Sequence, residues 1–412
     1  MMGAIAQTAF SRVSQLASQS RVHAAFQWFH LQERKLMQWQ REMVSIPAPP
    51  FGERARAEWL AERFRELCLA DVEIDEEGNV LGLLRGEKPS PGPCVVLSAH
   101  IDTVFPRDIP IEPVLENHRL SAPGACDNGA GVAGLLAIAA ALASCGIELP
   151  GDLLFVGNVG EEGEGDLRGM RYLYGMSPWR ERISANVVLD GAGSDVVVTQ
   201  ALGSLRYAVS ILGPGGHSWT DAGTPNPIVI LSQAILALSE VMLPDSPRTT
   251  LNVGTIEGGS SINAIPERAI ARFDLRSLEA EQLIRLEVAL HRAVEDAVLA
   301  ANESAQRNRN NGRVRGAVRF EIERIGERPS GRLAQDAPLL DALRAVDRHL
   351  GIRTEERVAS TDANIPLSLG IPAISIGAGG DGGGIHTRGE WYDAADRELA
   401  LKRILLLLLA LF

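Results

Sequence analysis

Cys94-Val-Val-Leu-Ser-Ala-His-Ile-Asp-Thr-Val104 decides how the rest of the chain is read. Residues 95–99 form an apolar run of strand length, which reads as a buried strand. A histidine and a carboxylate close it, two residues apart. Side chains alternate faces along a strand, so His100 and Asp102 point the same way. Asp102 can then hold the proton of one imidazole nitrogen and leave the other free for a metal ion.

Before this strand, residues 32–44 and 52–69 read as helices, separated by Ile46-Pro-Ala-Pro-Pro-Phe-Gly52. Residues 72–74 and 80–84 read as strands. After it come a small-residue apolar helix over residues 131–143 and strands over 153–156 and 187–189. Strand-helix-strand alternation of this kind predicts a doubly wound, mostly parallel α/β sheet. The character changes near Gln200. Strands at 205–212, 249–256, 268–275 and 318–325 and helices at 226–243 and 279–300 run β-α-β-β-α-β, the order of a ferredoxin-like α+β unit. A polar loop, residues 306–312, precedes its last strand. A helix over 337–350 and a strand over 373–376 then restore the α/β character. The chain is therefore expected to form one domain from residues 1–199 and 327–412, with residues 200–326 inserted.

The 412 residues suffice for two or three domains, and 45% hydrophobic with 22% charged residues is a globular composition. A net charge of −12 argues against a nucleic-acid or anionic-membrane surface. Cys68, Cys94, Cys126 and Cys145 form neither a CxxC pair nor a secreted disulfide ladder, so a cytoplasmic location is expected. Residues 1–40 do not read as a signal peptide. The apolar residues 404–412 are too few to cross a bilayer, which needs about 20, and read as a buried helix.

Further acidic and histidine positions recur beside apolar runs. Asp127, in Pro123-Gly-Ala-Cys-Asp-Asn-Gly-Ala-Gly131, stands at the start of the small-residue helix, where an aspartate is commonly a cap. Glu161 and Glu162 follow a strand. Adjacent residues in extended chain point apart, so one can hold metal while the other holds water. Asp190 ends a strand with Gly191, a pairing that is often only a turn. Gly377-Ala-Gly-Gly-Asp-Gly-Gly-Gly384 makes a poor phosphate cradle, since no Lys-Ser/Thr follows, but reads as a flexible loop presenting His386. His217, in Gly213-Pro-Gly-Gly-His-Ser-Trp219, lies in the inserted unit. Several of these positions fall at strand C-termini, where open α/β sheets bind ligands. His100, Asp127, Glu162, Asp190 and His386 suffice for two zinc ions, and a set without thiolates suits catalytic rather than structural zinc. Oxygen and nitrogen ligation also admits manganese or cobalt.

The stretches SAHIDTV, GACDNGAGVAG, GNVGEEGEG, VVLDG, GPGGHSW, SSINAIP, FDLRS, STDANIP and IHTRGEW, in this order, resemble the dizinc metallohydrolase family of aminoacylase, carboxypeptidase G and tripeptidase T. The resemblance covers most of the chain from about residue 90. It implies that Asp127 bridges two metals, with His100 and Asp190 on one and Glu162 and His386 on the other. It implies Asp102 as the partner of His100 and Glu161 as the general base. The inserted unit resembles the family's lid and dimerisation domain, with His217 stabilising the oxyanion, often from the partner subunit. Asn263 and Arg276 resemble substrate-contacting residues, Arg276 as a clamp for a carboxylate. Asp190 and the Asp-Ala-Asn of STDANIP lean towards the tripeptidase T-like branch. The expected activity is exopeptidase cleavage of an amide bond in a small peptide. A deacylase of N-acyl amino acids and a non-catalytic, metal-binding dimeric scaffold are the alternatives.

Overall fold

A computed structural model of the chain describes residues 8–88, 92–309 and 316–412. The chain divides into two compact units, one formed by Met1–Ala201 with Gly331–Phe412 and the other by Leu202–Ser330.

The first unit is built on a nine-stranded sheet. Its order is Ala70–Ile74, Val80–Leu84, Asp152–Asn158, Cys94–His100, Ile183–Leu189, Ala373–Ile376, Val196–Ala201 and Gly331–Arg332, with Glu355–Ala359 also pairing to Val196–Ala201. The centre is parallel, from Asp152–Asn158 to Ala373–Ile376. The sheet as a whole is mixed rather than mostly parallel: four ladders are parallel and four antiparallel. The reason is local at one edge. Asp75 to Asn79 is too short for a crossover, which takes a dozen or more residues, so the strands on either side must form a hairpin. Asp75 Oδ1 sets the turn by accepting the N–H groups of Glu77, Gly78 and Asn79.

The apolar run after Asp127 forms the helix Gly129–Cys145, buried from Gly129 to Leu142. Gly131 is required there, because a Cβ would strike the Asn128 side chain and the Leu189 carbonyl. The C-terminal apolar residues lie in a buried helix, as their composition predicts, but it begins earlier, at Arg397–Leu411. Arg403 forms a bidentate pair there with Asp347, at 2.6 and 2.9 Å. Two further helices, Ala9–Ala17 and Ser20–Leu31, place Val13, Ala17, Val22, Ala25 and Phe29 in the same core. Their apolar residues recur at helical spacing between polar ones.

The second unit runs β-α-β-β-α-β. Its four-stranded antiparallel sheet has the order Thr249–Gly258, Arg268–Ser277, Gly203–Leu212, Arg319–Arg328. Ile230, Leu231, Ala234 and Leu238 of one helix, Pro227–Ser239, join Leu286, Leu290 and Val294 of the other, Ala280–Arg309, in a core with the sheet residues Val209, Ile211, Ala271 and Phe273. Residues 306–309, expected in a loop, continue this second helix, and residues 310–312 lie outside the described residues. Among the described residues, no helix is long and apolar enough to cross a membrane.

Candidate active site

The C-terminal edge of the parallel strands gathers the acidic and histidine positions. His100 ends its strand, and Glu161 and Glu162 follow the Asp152–Asn158 strand. Asp190 follows Ile183–Leu189, its N–H donating to the Ile376 carbonyl at 2.9 Å. Asp127 is not the helix cap. Asn128 fills that role, its Oδ1 accepting the N–H of Gly131 at 3.0 Å. The Asp127 carboxylate is thereby released to the site. The glycine stretch before His386 is not simply a flexible loop. Asp381–Gly383 pairs with Trp391–Asp393 in a hairpin, and a Cβ on Gly382 would collide with Cys126 Sγ. Close packing explains that glycine.

The two oxygens of Asp127 face two different imidazoles. Oδ1 lies 3.0 Å from His100 Nε2, and Oδ2 lies 3.1 Å from His386 Nε2. Asp190 Oδ1 approaches the same His100 nitrogen at 3.8 Å, while Glu162 Oε1 is 2.9 Å from the same His386 nitrogen. Ligand atoms of His100, Asp127 and Glu162 all lie within 4.8 Å of one another. Burial pulls the His100 imidazole down, but the carboxylates of Asp102, Asp127 and Asp190 outweigh it and hold it well above its ordinary range. The hydrogen bond to Asp127 leads in raising His386 to about 9. Burial pushes the neighbouring Cys126 thiol up to about 12. Two imidazoles crowded by oxygen donors, with no thiolate, fit divalent cations, whose charge would balance the carboxylates.

Asp102 is fully buried and does more than partner His100. Its Oδ1 accepts the N–H of Glu161 at 3.0 Å and its Oδ2 that of Glu162 at 2.8 Å. The acceptor nearest His100 Nδ1 is therefore the Asp102 backbone carbonyl, at 3.2 Å, with the carboxylate at 3.6 Å. One residue thus fixes both, the histidine through its carbonyl and the paired glutamates through its carboxylate. Glu161 is itself buried.

Sequence reasoning passed over Glu390. It is 1% exposed, and its carboxylate accepts the N–H groups of Gly124, Cys126 and Asp127 at 3.1, 2.8 and 2.8 Å. It clamps the loop that carries Asp127. Its place in IHTRGEW, four residues after His386, was the signal available. Arg56, also 1% exposed, donates to the Ile101 carbonyl at 2.8 Å, between His100 and Asp102.

The remaining residues lie in the second unit. His217 lies in a small antiparallel ladder, Gly216–His217 against Ala264–Ile265, and Asn263 directly precedes its second strand, its carbonyl accepting the Ser218 N–H at 2.9 Å. His217 Nδ1 accepts the N–H groups of Trp219 and Thr220, at 3.1 and 3.4 Å. Arg276 is already engaged, its Nε donating to Asp274 at 2.7 Å.

Strand-end carboxylates and imidazoles, paired glutamates and a clamped loop define the class as a metal-dependent hydrolase of peptide or amide bonds. The comparisons with known proteins agree. Residues 96–410 match the model of peptidase family M20/M25/M40, and the chain belongs to that family. It is 25% identical over 376 residues to the uncharacterised protein YqjE of Bacillus subtilis, covering 87% of this chain and 93% of that one. Its fold is that of the aminopeptidase PepT from Bacillus cereus, with a TM-score of 0.72 at 20% identity over 92% of this chain and 98% of that one. It is also that of Bacillus subtilis YxeP, described as a dinuclear metal-binding peptidase, with a TM-score of 0.66 at 18% identity over 93% and 99%.

Proposed function

We propose that the protein is an exopeptidase that cleaves an amide bond in small peptides at a centre of two divalent cations, zinc in the first instance. The observation that carries this reading is the carboxylate of Asp127, with one oxygen towards His100 and the other towards His386. His100 and Asp190 would hold one cation, Glu162 and His386 the other, and Asp127 both. Two cations there would lower the pKa of a water molecule and polarise the scissile carbonyl. Glu161, buried and fixed through its N–H to Asp102, is the base that takes the proton of the attacking water and passes it to the leaving nitrogen. Asp102 orients His100 and both glutamates.

Residues 1–199 and 327–412 form the catalytic domain in this reading, and residues 200–326 an inserted lid and dimerisation domain. Thr249–Gly258 ends the sheet of that unit, with Ile256 exposed, and a sheet edge of this kind suits an isologous contact in a homodimer. His217 supports the developing oxyanion of a substrate held by the partner subunit. Its Nδ1 accepts backbone N–H groups, so the neutral ring carries its proton on Nε2, as an oxyanion donor must. Asn263 contacts the substrate as well. Arg276 serves as a carboxylate clamp only by leaving Asp274. The four free cysteines fit a reducing compartment, the cytoplasm.

The test is metal content together with turnover. Protein reconstituted with zinc, manganese or cobalt is assayed on a panel of di- and tripeptides and N-acyl amino acids. Two ions per chain with peptide cleavage support the proposal. Cleavage of N-acyl amino acids alone would make the protein a deacylase, and tight metal binding with no cleavage a scaffold.

A further inference from the structure

Glu161 and Glu162 ride on a loop whose backbone is strained. Between the strand Asp152–Asn158 and the helix Arg168–Gly175 the chain passes four times through the left-handed region, at Gly160, Gly163, Asp166 and Leu167, with φ of 68°, 51°, 50° and 61°. The last two are not glycine, and they are consecutive. Residues with side chains are disfavoured in that region and persist there only where their surroundings hold them. The loop is closed at its base. The N–H of Leu167 donates to the Gly160 carbonyl at 2.8 Å, and that of Gly169 to the Val159 carbonyl at 3.0 Å. Asn79, at the end of the hairpin turn, holds both sides of that base. Its Oδ1 accepts the Val159 N–H at 3.1 Å and its Nδ2 donates to the Gly169 carbonyl at 2.9 Å.

Arg168 stands between Leu167 and Gly169, and its side chain packs against Gly160, where a Cβ would lie 2.6–3.0 Å from its Cγ, Nε and Cδ. Its guanidinium ends between two carboxylates. Nη1 donates to the Glu77 carbonyl at 2.7 Å and to Glu77 Oε1 at 2.6 Å, while Nη2 donates to Glu53 Oε1 at 2.7 Å. The Phe51 ring lies 4.9 Å from the same guanidinium. The Glu53 side chain is 4% exposed and that of Arg168 16%, so this is not an exposed ion pair of the kind that contributes little. One guanidinium thus ties the glutamate loop to the residue that precedes the helix Arg54–Glu66 and to the turn between the strands Ala70–Ile74 and Val80–Leu84. All of these residues belong to the first unit.

We propose that Arg168 is a positioning residue for Glu161 and Glu162, keeping the loop that carries them wound. The inference rests on the reading of Glu161 as the base and Glu162 as a metal ligand. Asp102 fixes the two glutamates through their own N–H groups, and Arg168 fixes the strained backbone on either side of them. Without its three hydrogen bonds the loop relaxes out of the left-handed region, and both carboxylates leave the places that the attacking water and the cation require.

The experiment compares wild type with Arg168→Gln and with the double variant Glu53→Gln/Arg168→Gln, which leaves no carboxylate at position 53 buried without its cation. Hydrogen exchange followed by mass spectrometry needs no substrate. In both variants the peptide spanning residues 159–168 should exchange about 10-fold faster or more, because hydrogen bonds to a charged group are lost. The peptide spanning the strand Cys94–His100 should keep its wild-type rate. Equal acceleration of the two peptides would mark a general loss of stability and overturn the proposal, as would acceleration of neither. Turnover is the second readout. On a peptide that the wild type cleaves, kcat should fall by about 10- to 100-fold, with KM little changed. Local acceleration with kcat unaltered would also overturn the proposal, since the loop would then move without moving its glutamates. A wild type that cleaves nothing would refute the hydrolase reading, and the exchange rates would still decide whether Arg168 holds the loop.

Discussion

The carboxylate and imidazole cluster of the first unit and the short ladder of the second are held in opposite ways. Around Asp127 buried side chains fix the backbone: Asp102 holds both glutamate amides, Glu390 holds three amides of the Asp127 loop, and Arg56 holds the carbonyl between His100 and Asp102. Around His217 the frame is two ladder pairs and one turn, and the large side chains stand in solvent. In the proposed function the first cluster carries the bond making, which tolerates little misplacement, and the buried Asp102, Glu390 and Arg56 that fix its backbone suit that task.

Four substitutions, from the largest expected effect to the smallest, probe that contrast. Glu161→Gln keeps the shape of the side chain and removes its basicity, so turnover should fall by about 10²-fold or more with metal content unchanged. Near-normal activity would remove Glu161 as the base, and loss of metal would exchange its role with that of Glu162. His217→Ala removes one exposed donor and should also cost about 10²-fold in kcat. Mixed with Glu161→Gln under confirmed subunit exchange, it should regain activity, because one site in each mixed dimer then has both residues. A protein monomeric at working concentration, or a mixture that stays inactive, would confine His217 to its own chain. Glu390→Gln reaches the centre only through the Asp127 loop, and metal affinity should weaken about 10- to 100-fold. Titration with a metal-indicator dye reads this directly. Asn302→Ala touches neither region. Its side chain exchanges two hydrogen bonds with Val318, so about 1 kcal/mol of stability should be lost in urea unfolding, with kcat unaltered.

Legibility from the sequence followed the same contrast. The strand ending in His100 and the cluster of its partners were visible because apolar runs mark buried strands and chemistry collects at their ends. Asp127 looked like a cap, and only the structure shows Asn128 in that position. Glu390 had only its place after His386 to mark it, because its partners are backbone N–H groups, which every residue has, so nothing in their identity points to it. The antiparallel edge was missed because strand runs carry no direction, and only the brevity of the Asp75–Asn79 turn determines it. The leading segment reads from sequence only as one longer helix, and its division into two is not marked, because polar residues separate the buried positions throughout.

Gly331 pairs with Ala201 and Arg332 with Gln200, in antiparallel register. The chain leaves the first unit and returns to it as neighbouring strands of one hairpin, whose loop happens to be a whole folded unit. A two-residue Asn-Gly turn closes hairpins of this geometry. Joined that way, Ala201 and Gly331 would keep their ladder partners, and the first unit would lose none of its own sheet. The second unit is cargo on a loop, replaceable by exchanging the segment between two fixed points while the sheet of the first unit stays as it is.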